Sequence, residues 1–307
     1  MSSSSESTVI ALGAIHYDTI AHGAEAIRPE TSTPARFHAK PGGVATNVAR
    51  NLAKLGVQTK LIGTVGDDAP AQLLKAQLSD EGIKLFTVDR SGFSTGQYLA
   101  LHDPDGSLKA ACVDDRILSE APVDLFADIV DRLAAISDDR TIWFLDANLP
   151  TQMLVSLASQ IQTGMLMANA VSNAKSQRLT PLLSRLDCLF LNRGEAAALT
   201  GLPISTDPDE TSSALVEAGL KSFVLTDGPA SITVSNKGLI TRLAPAKTDV
   251  TDVTGAGDAL TAASLAAISK GHALEEAVTF GLKAATLTLA STGALAESLS
   301  WETLVDF

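Results

Sequence analysis

The chain has 307 residues, 45% of them hydrophobic and 19% charged, and carries a formal net charge of -12. That length suits one large α/β domain or two small ones. The acidic balance excludes nucleic acid as a main partner, because phosphate backbones need basic patches, but it leaves room for a nucleotide held by a local site and a metal ion. The opening MSSSSES, residues 1–7, has no early basic charge and no apolar run, so it reads as a short disordered tail rather than a signal peptide.

Short apolar runs then alternate with helical patterns. Residues 8–12, 60–65, 141–146, 164–169, 188–192 and 222–226 predict strands buried on both faces. A helix over residues 45–56 places Ala45, Val48, Ala49, Leu52 and Leu55 on one face, and Gly56 stops it. A second helix runs from Asp258 to Gly271, and a third carries Leu274, Ala277, Val278, Leu282 and Ala285 at helical spacing. The alternation predicts one α/β domain over residues 1–307, a mostly parallel sheet with helices on both faces. Residues 95–115 break the pattern and read as a β-hairpin around an Asp-Pro-Asp-Gly turn. Residues 19–40 lack a helical period. Insertions at about 17–40 and 94–115 are therefore expected to form a β lid above the strand carboxyl ends, where open α/β sheets bind ligands. Cys112 and Cys188 show no CxxC spacing, so neither a disulfide framework nor a structural metal is expected, and free thiols fit a cytoplasmic protein. No run of about 18 apolar residues occurs, so no membrane span is expected.

Four stretches carry chemistry. In DVTGAGDAL, residues 252–260, Gly255, Ala256 and Gly257 precede an apolar helix and Asp258 lies on its first turn. Glycines admit close approach, and helix-start N–H groups cradle negative charge. A carboxylate beside such a cradle can take a proton from an attacking hydroxyl during phosphoryl transfer. Helix capping by an acidic residue is the simpler reading. No GxxxxGK[ST] occurs, and Leu260 breaks a GxGxxG pattern. In PGGVATNVARNLAKLG, Gly42 and Gly43 lead into a helix bearing Asn47, whose amide can donate to and accept from hydroxyls, though taken alone the stretch reads more simply as a loop and helix N-cap. Asp18, in ALGAIHYDTI, offers a carboxylate to vicinal hydroxyls, or is an ordinary turn aspartate. Asn192 and Glu195, in FLNRGEAAALTG, suit either Mg²⁺ held through water or a helix cap.

Taken together, in this order and spacing, the four stretches resemble the ribokinase-like (PfkB) family of carbohydrate and nucleoside kinases over nearly the whole chain. The resemblance implies a three-layer α/β/α sandwich with a small β lid. It implies Asp258 as catalytic base and Gly255, Ala256 and Gly257 as anion hole. It implies Asp18, Gly42, Gly43 and Asn47 on the sugar hydroxyls, and Asn169, Asn192, Thr226 and Gly228 on the nucleotide. ATP and Mg²⁺ are the implied cofactors, with Glu195 organising the metal through water, and Asp252 is a candidate for a monovalent-cation site such as one for K⁺.

Within the family, PGGVATNVARNLAKLG, YLALHDPDGSLKAACVDDRIL and NAVSNAKSQRL look most like pseudouridine kinases, in which Asp114 matches a lid aspartate. Asp115, Thr46 and the opening GAIHYDTIAHG depart from that pattern, making His16 and Tyr17 substrate-pocket candidates and keeping ribose, another sugar or another nucleoside open as acceptor. A catalytically silent ligand-binding protein on the same scaffold is the alternative of another class. A homodimer through exposed lid edges is also expected.

Overall fold

The computed structural model describes residues 7–307, so the expected tail at 1–7 lies outside the described residues apart from Ser7. In chain order the strands are β1 (Thr8–Leu12), β2 (His16–Gly23), β3 (Ala35–Gly42), β4 (Gln58–Gly66), β5 (Lys84–Arg90), β6 (Gly96–His102), β7 (Leu108–Asp114), β8 (Ile142–Asp146), β9 (Met165–Asn169), β10 (Cys188–Asn192), β11 (Phe223–Thr226), β12 (Ile232–Asn236) and β13 (Leu239–Leu243). They form two sheets among the described residues, one of nine strands in the order β13-β12-β11-β10-β9-β8-β1-β4-β5 and one of four in the order β3-β2-β6-β7.

The large sheet is parallel from β11 through to β5, and at one edge the reversed strand β12 pairs antiparallel with β11 and with β13. Its strands are apolar on both faces because each face is covered. In β1, Val9 and Ala11 enter one core with Val48, Leu52, Leu265 and Val278, from helices Val44–Lys54, Ala256–Ser269 and Leu274–Leu289. Ile10 and Leu12 enter the other with Val130, Leu157 and Leu215, from helices Ala127–Ala134, Thr151–Gln160 and Pro208–Glu217. The result is the expected three-layer α/β/α sandwich. The Ala256–Ser269 helix is buried without a break from Ala259 to Ala267, as an all-round apolar helix must be. A Cβ on Gly281 would fall 2.4 Å from Ser264 Oγ, so the neighbouring helix packs against it at close range and fixes its position.

β1 is the point where strand order reverses: β4 lies on one side of it and β8 on the other. The crevice beyond its carboxyl end is where such sheets bind ligands. The small sheet rises from that end. β2 pairs antiparallel with β3 and parallel with β6, and β7 completes the sheet beside β6. Thr95 roots it, donating from its N–H and Oγ1 to Asp68 at 2.7 and 2.6 Å.

The sequence reading overlooks β5, β12 and β13. β5 is an edge strand whose Lys84, Asp89 and Arg90 interrupt its apolar run. β12 and β13 are joined by Lys237 and Gly238, both with positive φ (52° and 88°), the turn a two-residue hairpin requires.

Candidate active site

Asp258 is held in place from both halves of the chain. Gly255 caps its helix in the left-handed region (φ 76°), and a Cβ there would fall 2.3 Å from Ala294 Cβ, so only glycine lets this loop settle on the 293–294 turn. A Cβ on Gly257 would meet nothing within 4 Å, which leaves open space beside the helix-start N–H groups. Asn47 Nδ2 donates to Asp258 Oδ2 at 2.8 Å. Burial pushes the Asp258 carboxyl up to about 7; the Asn47 hydrogen bond opposes this, while Asp146, Asp18 and Glu195 add to it.

Asp18 lies inside β2 rather than in a turn, opposite Lys40 on β3. Its carboxylate lies across Gly42, where a Cβ would fall 1.9 Å from Oδ2. Burial raises it to about 6, with Lys40 pulling the other way. Gly43 begins the Val44–Lys54 helix at φ 94°, and a Cβ there would strike Ala14 O at 2.4 Å. Asp18 Oδ1, Asn47 Oδ1 and His16 Nε2 are buried without a hydrogen-bond partner. Buried polar atoms are seldom left unpaired, and three around one crevice are what a polyhydroxyl ligand would satisfy.

Beneath them lies a residue that sequence reasoning takes only for a strand end. Asp146 is fully buried and accepts from Ala14 N (3.2 Å), Ala45 N (2.9 Å), Asn148 N (3.0 Å) and Asn148 Nδ2 (3.0 Å). It ties the ends of β1 and β8 to the helix that carries Asn47. Thr46 turns inward and donates to Ala14 O at 2.8 Å, a packing role rather than a ligand contact.

Two expected residues are not brought to this group. Asp114 pairs with Gln97, which pairs with Tyr17, and lateral partners share a face of the sheet. Both therefore lie on the face opposite Asp18. Tyr17 lines a separate cavity of about 520 Å³ against the Ala69–Asp80 helix. Asp114 forms an ion pair with Arg116 at 2.7 Å, whose hydrogen bonds hold it down to about 2. One residue further on, Asp115 accepts from Lys175 Nζ at 3.1 Å, and Lys175 also donates to Asn148 Oδ1 at 2.7 Å. This group lies in electrostatic reach of buried His16, which desolvation and Lys175 lower to about 4. The period-two alternation of the strand was the signal that could have chosen Asp115 over Asp114.

On the other side of the anion loop, Thr226 and Gly228 line a cavity of about 880 Å³ with Val250, Ala256, Gly257 and Leu289. Asn169, at the end of β9, accepts from Val171 N at 2.8 Å and donates to Thr261 Oγ1 on the Asp258 helix at 3.4 Å. Asn192 and Glu195 form a reciprocal helix cap, Glu195 N donating to Asn192 Oδ1 (3.0 Å) and Asn192 N to Glu195 Oε2 (2.8 Å). Burial raises the Glu195 carboxyl, so a nearby cation would be favourable. Asp252 is tied to the chain: its Oδ1 accepts from Thr254 N and its Oδ2 from Gly293 N, both at 2.8 Å.

This arrangement, a buried carboxylate beside an open anion loop with a cavity on one side and unpartnered polar atoms on the other, matches a known domain. The pfkB family carbohydrate kinase domain covers residues 6–301. The chain belongs to the PfkB family. Kinases of this family use ATP and phosphorylate a sugar or nucleoside. This PfkB kinase is 28% identical over 288 residues to pseudouridine kinase of Escherichia coli strain K12, spanning 92% of this chain and 90% of that one. It is similar to the structure of a carbohydrate kinase from Agrobacterium tumefaciens, with 30% identity, a TM-score of 0.81 and coverage of 98% of this chain and 96% of that one. It shares the fold of Arabidopsis thaliana ribokinase complexed with ribose and ATP, at 23% identity and a TM-score of 0.81, over 98% of this chain and 98% of that one. No helix among the described residues is long and apolar enough to cross a membrane.

Proposed function

We propose that the protein transfers the γ-phosphate of Mg-ATP to the 5′-hydroxyl of pseudouridine. The observation that carries the transfer chemistry is the Asn47–Asp258 hydrogen bond at the mouth of the anion loop, with the unpartnered Asp18 and Asn47 oxygens beside it. Asp18 and Asn47 bind the ribose hydroxyls. Gly42 leaves the Asp18 carboxylate room, and Gly43 sets the turn that presents Asn47. Asp258 takes the proton of the attacking hydroxyl, and the N–H groups following Gly255 stabilise the charge on the moving phosphoryl group.

The nucleotide occupies the cavity beside Thr226 and Gly228, with Asn169 and Asn192 near its phosphates. A divalent cation bound there neutralises charge on the phosphates. Glu195, whose carboxyl is raised by burial at the start of its helix, is the residue that would help hold such an ion through water. The four-stranded sheet acts as a lid that excludes water from the transfer.

The similarity to pseudouridine kinase and the polar group of His16, Asp115, Asn148 and Lys175 support the choice of acceptor. His16 lies two residues before Asp18 on β2, hence on the same face, and the group offers donors and acceptors suited to a pyrimidine edge. It also departs from the pseudouridine-kinase pattern at His16 and Asp115, which favours another nucleoside or sugar as the second reading. Two exposed apolar side chains on the lid face opposite Asp18, Phe37 and Leu99, support a homodimer through this sheet, to be checked by light scattering.

A coupled ADP-release assay tests the acceptor, comparing pseudouridine, uridine, adenosine, ribose and fructose 6-phosphate with Mg-ATP. Turnover confined to pseudouridine is expected. Preference for another acceptor overturns the choice of substrate but keeps the chemistry. Tight binding without turnover of any acceptor favours a silent binding protein.

A further inference from the structure

The family resemblance makes Asp252 a candidate for a monovalent-cation site, but the structure sets a positive charge of its own beside the turn this carboxylate holds. Each oxygen already accepts a backbone N–H, from Thr254 and from Gly293. The turn that supplies Gly293 faces an ammonium. Lys40 Nζ lies 3.2 Å from where a Cβ on Gly293 would sit. The charge of Lys40 acts on Asp252 and on Asp18, which is its cross-strand partner in the lid sheet. The same turn carries Ala294, the residue against which Gly255 packs. One positive charge from the lid therefore stands beside the turn that shapes the anion loop.

We propose that Lys40 is a tethered cation for this turn and makes a bound potassium ion unnecessary. An ammonium has the charge of K⁺ and nearly its size. Carried on β3, it would stand beside the 293–294 turn only while the lid lies over the site. The anion loop is then fully organised when the acceptor is covered, which ties phosphoryl transfer to lid position. This inference rests on the kinase reading above.

The test compares KCl, NaCl and tetramethylammonium chloride at equal ionic strength, for the unaltered protein, Lys40→Ala and Lys40→Arg. Turnover of the unaltered protein is expected to agree within about twofold in the three salts. Lys40→Ala is expected to lose at least about tenfold in tetramethylammonium, on the scale of a lost electrostatic contact to transition-state charge, and to regain the larger part of it in KCl. Lys40→Arg, keeping the charge, stays indifferent to the salt.

A second readout does not depend on turnover. The thermal midpoint and Mg-ADP affinity of Lys40→Ala should rise in KCl over tetramethylammonium chloride, and those of the unaltered protein should not. Strong stimulation of the unaltered protein by KCl overturns the proposal. So does a Lys40→Ala variant whose behaviour is the same in all three salts, the result expected if Lys40 serves Asp18 alone. If no acceptor is turned over, the kinase reading fails, while the thermal and Mg-ADP measurements still decide the role of Lys40.

Discussion

Asn47 and Asp258, 211 residues apart, meet in a single hydrogen bond of 2.8 Å that joins the first helix of the chain to the anion loop. The bond occupies one carboxylate oxygen and leaves the other to a reacting hydroxyl. Asp258→Asn should keep the fold and ligand binding but lose roughly 10²-fold or more in turnover, the scale of general-base catalysis. Single-turnover kinetics with both substrates bound would show the loss in the chemical step. Near-normal turnover would remove Asp258 from the role of base.

The pH dependence follows from burial. Asp258 at about 7 and Asp18 at about 6 both stand above ordinary carboxylates. With Asp258 as the proposed base, activity would need it ionised, so kcat/KM should rise with pH and level off once pH exceeds about 7. Stability runs the other way. The folded state binds this proton more tightly than the unfolded chain, whose value is 3.8, so the contribution is full below that value and lost as pH rises through about 7. Asp258→Asn escapes that loss. In thermal melts it should exceed the unaltered protein at pH 8 by about 2–4 °C, with the gap closing toward pH 4.

A change at Gly42 can test the proposed acceptor site apart from the nucleotide site. Gly42→Ala would set a methyl 1.9 Å from the Asp18 carboxylate and displace it. KM for the acceptor should rise by about tenfold or more, as a contact worth 1–2 kcal/mol is lost, while KM for ATP stays close to its starting value. Equal changes in both would place Asp18 away from the acceptor.

Asp146 is predicted to matter for stability more than for chemistry. Asp146→Ala leaves Ala14 N and Ala45 N unpaired in the core, and each buried unsatisfied group costs about 1–3 kcal/mol. Urea unfolding should show a large drop in midpoint, with Asp146→Asn intermediate because its oxygen still accepts.

The anion loop, its aspartate and the glycine pair were legible in sequence because their chemistry is local: small residues next to a helix start, with the functional side chain a few positions on. The body of the sheet was legible because strands covered on both faces are continuously apolar. Asp146, Lys40, Asn148 and Lys175 were not. Their roles depend on partners brought in by topology, such as Ala45 N, 101 residues before Asp146. Asp114 is the residue the family resemblance implies, and the alternation of faces that separates it from Asp115 has no part in that match.

The two cysteines fall on opposite sides of an experimental convenience. Cys188 is fully buried in β10, where burial pushes its thiol far up, while Cys112 is exposed on β7 of the small sheet. A thiol-directed fluorophore would therefore attach at one place, on the element expected to move, without any engineered residue. Four chain passages, near Ile15, Pro41, Thr95 and Asp115, connect that sheet to the body, so any closing motion would have to bend all four at its root. The signal from Cys112 would report that bend directly, and the order in which acceptor and nucleotide cause it could be timed in the native chain.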